Sequence, residues 1–352
     1  MKIAIINDTH CGIRNSSDIF IDNAEKFYSD IFFPYLLEHS IRHIIHLGDY
    51  YDNRKFINFR ALHRNRNHFL KPLREYGLTM DIIRGNHDTY YKNTGELNSL
   101  KELLGHYMNE VTIIQEPKVM EYGSLKMGLV PWIDDDNSEE SLQFIENVKC
   151  DWIGGHFDIV GYEMMQGLKC EHGLDRSIFK RFEQVLSGHF HKKSDDGQIY
   201  YLGTQYEITW SDYKCPKGFH ILDTETRELT RVPNPMRIHK KLIYNDKDND
   251  YMNMDLSQFK DTFVKVFVTN KTNEQMFNNL IDRLHNTVDT HEVNIIEDLN
   301  TDITASVKED ILEQGEDTLT FLGNYVEQID SKLDKHKLKS VIKDLYTEAS
   351  ER

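Results

Sequence analysis

The sequence predicts an α/β fold that turns strand-rich in its second half, with one mixed sheet or two packed sheets at its centre. Two observations predict it. Short apolar runs alternate with amphipathic helical stretches from residue 1 to about 235, and four of five polar motifs directly follow such runs. Ile3 to Ile6 reads as a buried strand, Asp18 to His39 as a helix, and His43 to Leu47 as a strand. Ala61 to Tyr76 is helical and Met80 to Arg84 returns to strand. Later strands are expected at Leu125 to Val130, Trp152 to Gly155, Gln184 to Ser187, Ile199 to Leu202 and Phe219 to Asp223. Pro233, Pro235 and the polar stretch Asn245 to Asp250 then mark a break. Beyond it, Phe263 to Val268, Asn273 to Thr287 and His291 to Glu297 read as strand, helix and strand, a small βαβ unit. From Thr304 to the end the pattern is helical. The expected division is therefore 1–235, 236–300 and 301–352.

Bulk properties set outer bounds. With 352 residues the chain is long enough for one large core plus smaller appended units. No charged segment leads into an apolar stretch at the start, and no apolar run is long enough to cross a bilayer, so a cytoplasmic protein is expected. Cys11, Cys150, Cys170 and Cys215 form no CxxC pair and read as reduced thiols. The net charge of −16 argues against a nucleic-acid partner when taken alone. Bound cations would reverse the local field, however, and much of the acid lies in Asp134 to Asp136, Asp246 to Asp250 and the C-terminal third. Net charge therefore bounds the partner poorly.

The chemistry sits in five motifs: Asp8-Thr9-His10, Gly48-Asp49-Tyr50-Tyr51-Asp52, Gly85-Asn86-His87-Asp88, Gly154-Gly155-His156 and Gly188-His189-Phe190-His191. Asp-x-His is common in turns, and Gly-Asp after a strand is often an Asx turn. Gly-Asn-His-Asp is less ordinary, and Gly-His-x-His, with two imidazoles on one side of an extended segment, is the best single signal. Together, at strand C-terminal ends, they converge on one sheet edge, where α/β sites lie. Carboxylates, one amide and imidazoles without a thiolate suit Mn²⁺, Fe²⁺ or Zn²⁺. A shared carboxylate lets two ions sit roughly 3.5–4 Å apart and neutralise phosphate oxygens as a transition state develops.

This motif order resembles the calcineurin-like metallophosphoesterase superfamily. The resemblance implies two packed mixed β-sheets flanked by helices in four layers. It also implies that Asp8, His10 and His191 hold one ion and that Asn86, His156 and His189 hold the other, with Asp49 bridging and His87 beside the leaving group. The core followed by a small βαβ unit and a helical tail is similar to the SbcD-type recombination nucleases, and in compact size to their bacteriophage members. That likeness implies a duplex exonuclease and single-strand endonuclease using two divalent ions, Mn²⁺ with Mg²⁺ as the alternative. It implies a homodimer within a heterotetramer with an SbcC-type, SMC-like ATPase, in the host cytoplasm if phage-encoded. The unit at 236–300 would cap the site and contact DNA. The apolar positions Leu319, Leu322, Val326, Ile329, Leu338, Val341, Ile342 and Leu345 would dock on the ATPase. Arg54, Lys55, Arg60, Arg64 and Arg66 would meet backbone phosphates or simply form a solvated helix face, and Lys192 and Lys193 are weaker candidates. Archaeal and eukaryotic members carry histidine where this chain has Asp52, which reads here as a turn cap. A phosphatase of the same superfamily and a non-catalytic scaffold are the rival readings.

Overall fold

In the computed structural model, which describes residues 1–165 and 168–297 with positions 326, 335, 337, 338 and 341, two six-stranded sheets pack face to face. The first runs, in spatial order, Leu229–Asn234, Lys217–Asp223, Lys2–Ile6, His43–Leu47, Thr79–Ile83 and Val111–Ile114. Its last four strands are parallel and its first two antiparallel. The second runs Ser194–Asp195, Ile199–Tyr201, Gln184–Ser187, Trp152–Gly155, Leu125–Val130 and Lys118–Tyr122, with parallel central strands and an antiparallel strand at each edge. Both sheets are mixed, as expected.

The two-residue period of a strand explains the layering. Ile3 and Ile5 point into the core between the sheets, with Ile45, Leu47, Met127, Leu129 and Leu186. Ala4 and Ile6 point the other way, onto helices that contribute Phe27, Phe32, Leu36, Phe69 and Leu73. The outer face of the second sheet is covered by Ile145, Phe157 and Phe179 among others. Strands buried on both faces read as unbroken apolar runs, which is why they were visible in sequence.

Both long helices carry an unexpected feature. Asp18–Phe27 continues through a π turn at Tyr28–Phe32 into Phe33–Glu38, and Phe59–Asn65 through Arg66–Leu70 into Lys71–Glu75. A proline, Pro34 or Pro72, follows each π turn. Proline lacks an N–H and crowds the carbonyl four residues back, and the wider turn relieves that crowding without ending the helix.

The small C-terminal unit holds one strand more than the βαβ pattern suggested. His239–Asn245, Phe263–Asn270 and Glu292–Ile296 form a parallel sheet, covered by helix Glu274–Asn286 through Phe277, Leu280 and Leu284. The stretch read as a break therefore contains the first strand of this unit. The unit sits against the core, where Phe263 stacks on Phe20 at 5.5 Å and the buried Glu207 carboxylate accepts from the Ile238 and His239 N–H groups, each at 2.9 Å. Most of the tail expected to be helical lies outside the described residues, including Leu319, Leu322, Ile329, Ile342 and Leu345. Of the candidate docking positions that are described, all helical, Val326 is buried, Leu338 half-buried and Val341 exposed. No helix among the described residues is long and apolar enough to cross a membrane.

Candidate metal centre

The parallel strands Lys2–Ile6, His43–Leu47 and Thr79–Ile83 of one sheet and Trp152–Gly155 and Gln184–Ser187 of the other end at a common edge. The five motif loops leave from there. Their turns are tight enough that Asp8, His10, Asp49 and His189 all adopt positive φ, at 48°, 43°, 55° and 81°. Such conformations cost a non-glycine residue about 1–3 kcal/mol each and persist only where surrounding bonds impose them. Here the loops bind one another. Asp8 N–H donates to Gly48 O at 2.9 Å, His10 N–H to Asp49 O at 3.1 Å, and His189 N–H to the Asp8 carboxylate at 3.0 Å. Gly85 is obligatory, because a Cβ there would lie 2.1 Å from Asp49 Oδ1.

The loops bring all seven predicted ligands and His87 together, every one buried. Asp8, His10 and His191 form one group and Asp49, His156 and His189 a second, with ligand atoms in each within 4.8 Å of one another. His10 Nε2 lies 3.1 Å from His191 Nε2, and 3.9 Å from Asp8 Oδ1. In the second group Asn86 Oδ1 lies 2.9 Å from His156 Nε2 and 3.1 Å from His189 Nδ1. Asp49 Oδ2 is 3.2 Å from His156 Nε2 and 3.8 Å from His10 Nε2, so this carboxylate stands between the groups. Ligands that each bond an ion at ~2.1 Å lie ~3–3.5 Å apart, which is the spacing of many of these pairs.

The donor set also fits a cation by its chemistry. His156 Nδ1 faces the Leu47 carbonyl at 2.8 Å, while its Nε2 faces the Asp49 and Asn86 oxygens. Both ring nitrogens thus meet acceptors, which requires either an imidazolium or a metal ion at Nε2. Burial pulls the His156 imidazole down, but the Asp49 and Asp8 carboxylates outweigh it and hold it at about 9. Burial likewise opposes, and the carboxylates of Asp52, Asp49 and Asp8 raise, His10, also to about 9. His191 is held well below its ordinary value by burial and by His10 and Lys217, leaving it a neutral ligand. Burial raises Asp8; it also raises Asp49, where the His156 and His87 imidazoles prevail and keep the carboxylate well below its usual range.

Two acidic residues do more than their sequence context suggested. Asp52, read as a turn cap, places its carboxylate 3.2 Å from His10 Nδ1, while its carbonyl lies 2.5 Å from His87 Nδ1. It therefore orients two site imidazoles with their Nε2 atoms turned away. Asp88, absent from the predicted site, is fully buried and accepts from Tyr50 and Tyr51 N–H at 3.1 Å and from Gly85 N–H at 2.8 Å. It ties the second motif loop to the third. Trp132 walls the other side, its ring 5.2 Å from that of His189 and 5.9 Å from that of His156.

The basic candidates separate. Arg64 binds Asp22 and Glu25, and Arg60 pairs with Asp18 at 3.0 Å, so both serve the acidic face of the preceding helix. Lys55 is exposed, and Arg54 and Arg66 are half-buried. Lys192 pairs with Glu163, and Lys193 with Asp195 at 2.7 Å.

A sequence profile of calcineurin-like phosphoesterases matches residues 1–193. Over 358 aligned positions, covering 100% of both chains, the sequence is 28% identical to exonuclease subunit 1 of Enterobacteria phage T4. Among solved structures, an archaeal phosphodiesterase aligns at 19% identity and a TM-score of 0.34, covering 66% of this chain and 100% of that one. The Thermus thermophilus protein TT1561 aligns at 12% identity and a TM-score of 0.39, covering 66% and 98%.

Proposed function

Because the chain belongs to the calcineurin-like phosphoesterase family, we propose that it is a two-metal DNA nuclease, a duplex exonuclease and single-strand endonuclease. The observation that carries the reading is Asp49, one carboxylate placed between two ligand groups. Asp8, His10 and His191 would hold one ion, Asn86, His156 and His189 the other, and Asp49 both. When bound, such ions supply the positive charge that stabilises phosphate oxygens and activates water, with Mn²⁺ favoured and Mg²⁺ the alternative. His87 is fixed at its Nδ1 by the Asp52 carbonyl, and its backbone N–H donates to Asp49 Oδ1 at 2.8 Å. With Nδ1–H held by that carbonyl, His87 would act as an imidazolium whose Nε2–H passes to the departing deoxyribose oxygen, leaving the neutral imidazole.

The full-length similarity to an exonuclease subunit supports DNA as substrate and a partner subunit in the active assembly. We assign that partner to an SMC-like ATPase of the SbcC type, engaged by residues 301–352, with two nuclease chains in a heterotetramer acting in recombination and break repair. The three-stranded unit within 236–300 would cap the site and contact DNA. The test is cleavage of end-labelled duplex DNA by the purified chain with Mn²⁺, beside a generic phosphomonoester. Chelator-sensitive DNA cleavage is expected. Activity on the phosphomonoester alone would make it a phosphatase, and no turnover of either would favour a scaffold.

A further inference from the structure

Lys217 opens strand Lys217–Asp223, yet its side chain is entirely buried. Its ammonium donates to His191 O at 3.0 Å, to Thr204 Oγ1 at 2.6 Å and to the buried Asp212 carboxylate. All three of its protons are therefore used. Asp212 in turn accepts from the Ile208 and Thr209 N–H groups at 2.8 and 3.0 Å, which fixes the far side of the pair. The His191 carbonyl accepts a second bond, from Thr204 N–H at 3.0 Å. The segment His189 to His191 is consequently pinned at both ends, by the Asp8 carboxylate on the His189 N–H and by Lys217 and Thr204 on the His191 carbonyl.

Replacing a buried ion pair with apolar groups is often neutral or favourable for stability, so its presence calls for a role beyond packing. We propose that Lys217, held by Asp212, is a positioning residue that fixes His191 for the Asp8–His10–His191 half of the metal centre. The proposal rests on the two-ion reading above. Partners that orient a metal ligand typically contribute 10–100-fold in metal affinity. The three donors of Lys217 go to His191, Thr204 and Asp212, while His189 keeps its own anchor on the Asp8 carboxylate, so the Asn86–His156–His189 half should feel its loss less.

The test is Mn²⁺ titration of the purified full chain, followed by calorimetry and electron paramagnetic resonance. H191A and H156A supply the signatures of losing each half. K217M D212N removes both charges together while leaving a side-chain oxygen to accept from Ile208 and Thr209. K217R keeps the charge but displaces the bond to the carbonyl. Both variants should bind the ion of the His191 half about 10–100-fold more weakly, reproduce the H191A signature, and retain the other ion. Wild-type binding of both ions by either folded variant would overturn the proposal, as would equal weakening of both halves. If K217M D212N does not fold, K217R decides. A wild-type chain that binds a single ion would overturn the two-ion reading itself.

Discussion

His87→Ala separates binding from chemistry. The substitution deletes an imidazole whose Nδ1 bonds to Asp52 O at 2.5 Å and whose ring meets His10 edge-on at 4.9 Å. It leaves the backbone N–H bond to Asp49 Oδ1 in place, so the carboxylate keeps its orientation. Ion binding should survive. The rate on DNA should fall by about 10²–10⁴, the usual worth of a positioned proton donor, which corresponds to about 2.7–5.4 kcal/mol of barrier. A nucleotide p-nitrophenyl ester releases p-nitrophenolate, which departs without protonation, so on that substrate the loss should shrink to within about tenfold. The assay is single-turnover cleavage of both substrates, with metal content measured on the same preparations. Loss of metal would make His87 a ligand, as its grouping with His10 and Asp49 allows. Equal losses on the two substrates would refute the proton-donor role.

Other expectations follow from the same geometry. His10 and His156 titrate at about 9 in the metal-free chain, so Mn²⁺ must displace protons below that pH. Affinity should rise from pH 6 to 9, with proton release measurable by calorimetry in buffers of different ionisation enthalpy; binding without release would contradict the protonated pairs. The same raised values mean that these pairs stabilise the metal-free fold fully below the ordinary imidazole pKa and lose that effect as pH rises through 9. Arg64→Ala should lower stability by up to about 1 kcal/mol and leave DNA affinity unchanged. Lys55→Ala should weaken DNA binding uniformly and lower the salt slope by about one, and the reverse pattern would reassign the DNA surface. Truncation after Asn300 should leave a folded, metal-dependent nuclease that no longer co-purifies with an SMC-like ATPase. Unfolding would show instead that the tail, where Val326 is buried, packs on its own chain.

The motif loops were legible because each places polar residues immediately after a strand buried on both faces, a contrast that survives in one dimension. What the sequence concealed were roles set by contacts between loops. Asp88 looks like the polar end of a motif, but its partners are backbone groups 37 and 38 positions earlier as well as the nearby Gly85. Nothing in the sequence sets Lys217 apart, and only the fold reveals its burial beside Asp212 and His191. Strand Leu229–Asn234 was hidden by Pro233, which an edge strand tolerates because one side of its ladder is unpaired. His239–Asn245 was masked by two lysines; Lys241 lies over the rings of Tyr213 and Phe267 at 5.0 and 5.2 Å. The net charge that argued against nucleic acid was equally opaque, since part of the acid on helix Asp18–Phe27 is consumed by Arg60 and Arg64.

The bridging role of Asp49 is the centre of the account, and Asp49→Asn tests it most directly. The amide can still accept from the His87 N–H, so the loop should hold while the charge shared between His10 and His156 disappears. Mn²⁺ stoichiometry by native mass spectrometry, with electron paramagnetic resonance to detect coupling between ions, should show two coupled ions in the wild-type chain. The variant should hold at most one, uncoupled, and should not cleave DNA. Two coupled ions and full turnover in Asp49→Asn would contradict the two-metal assignment.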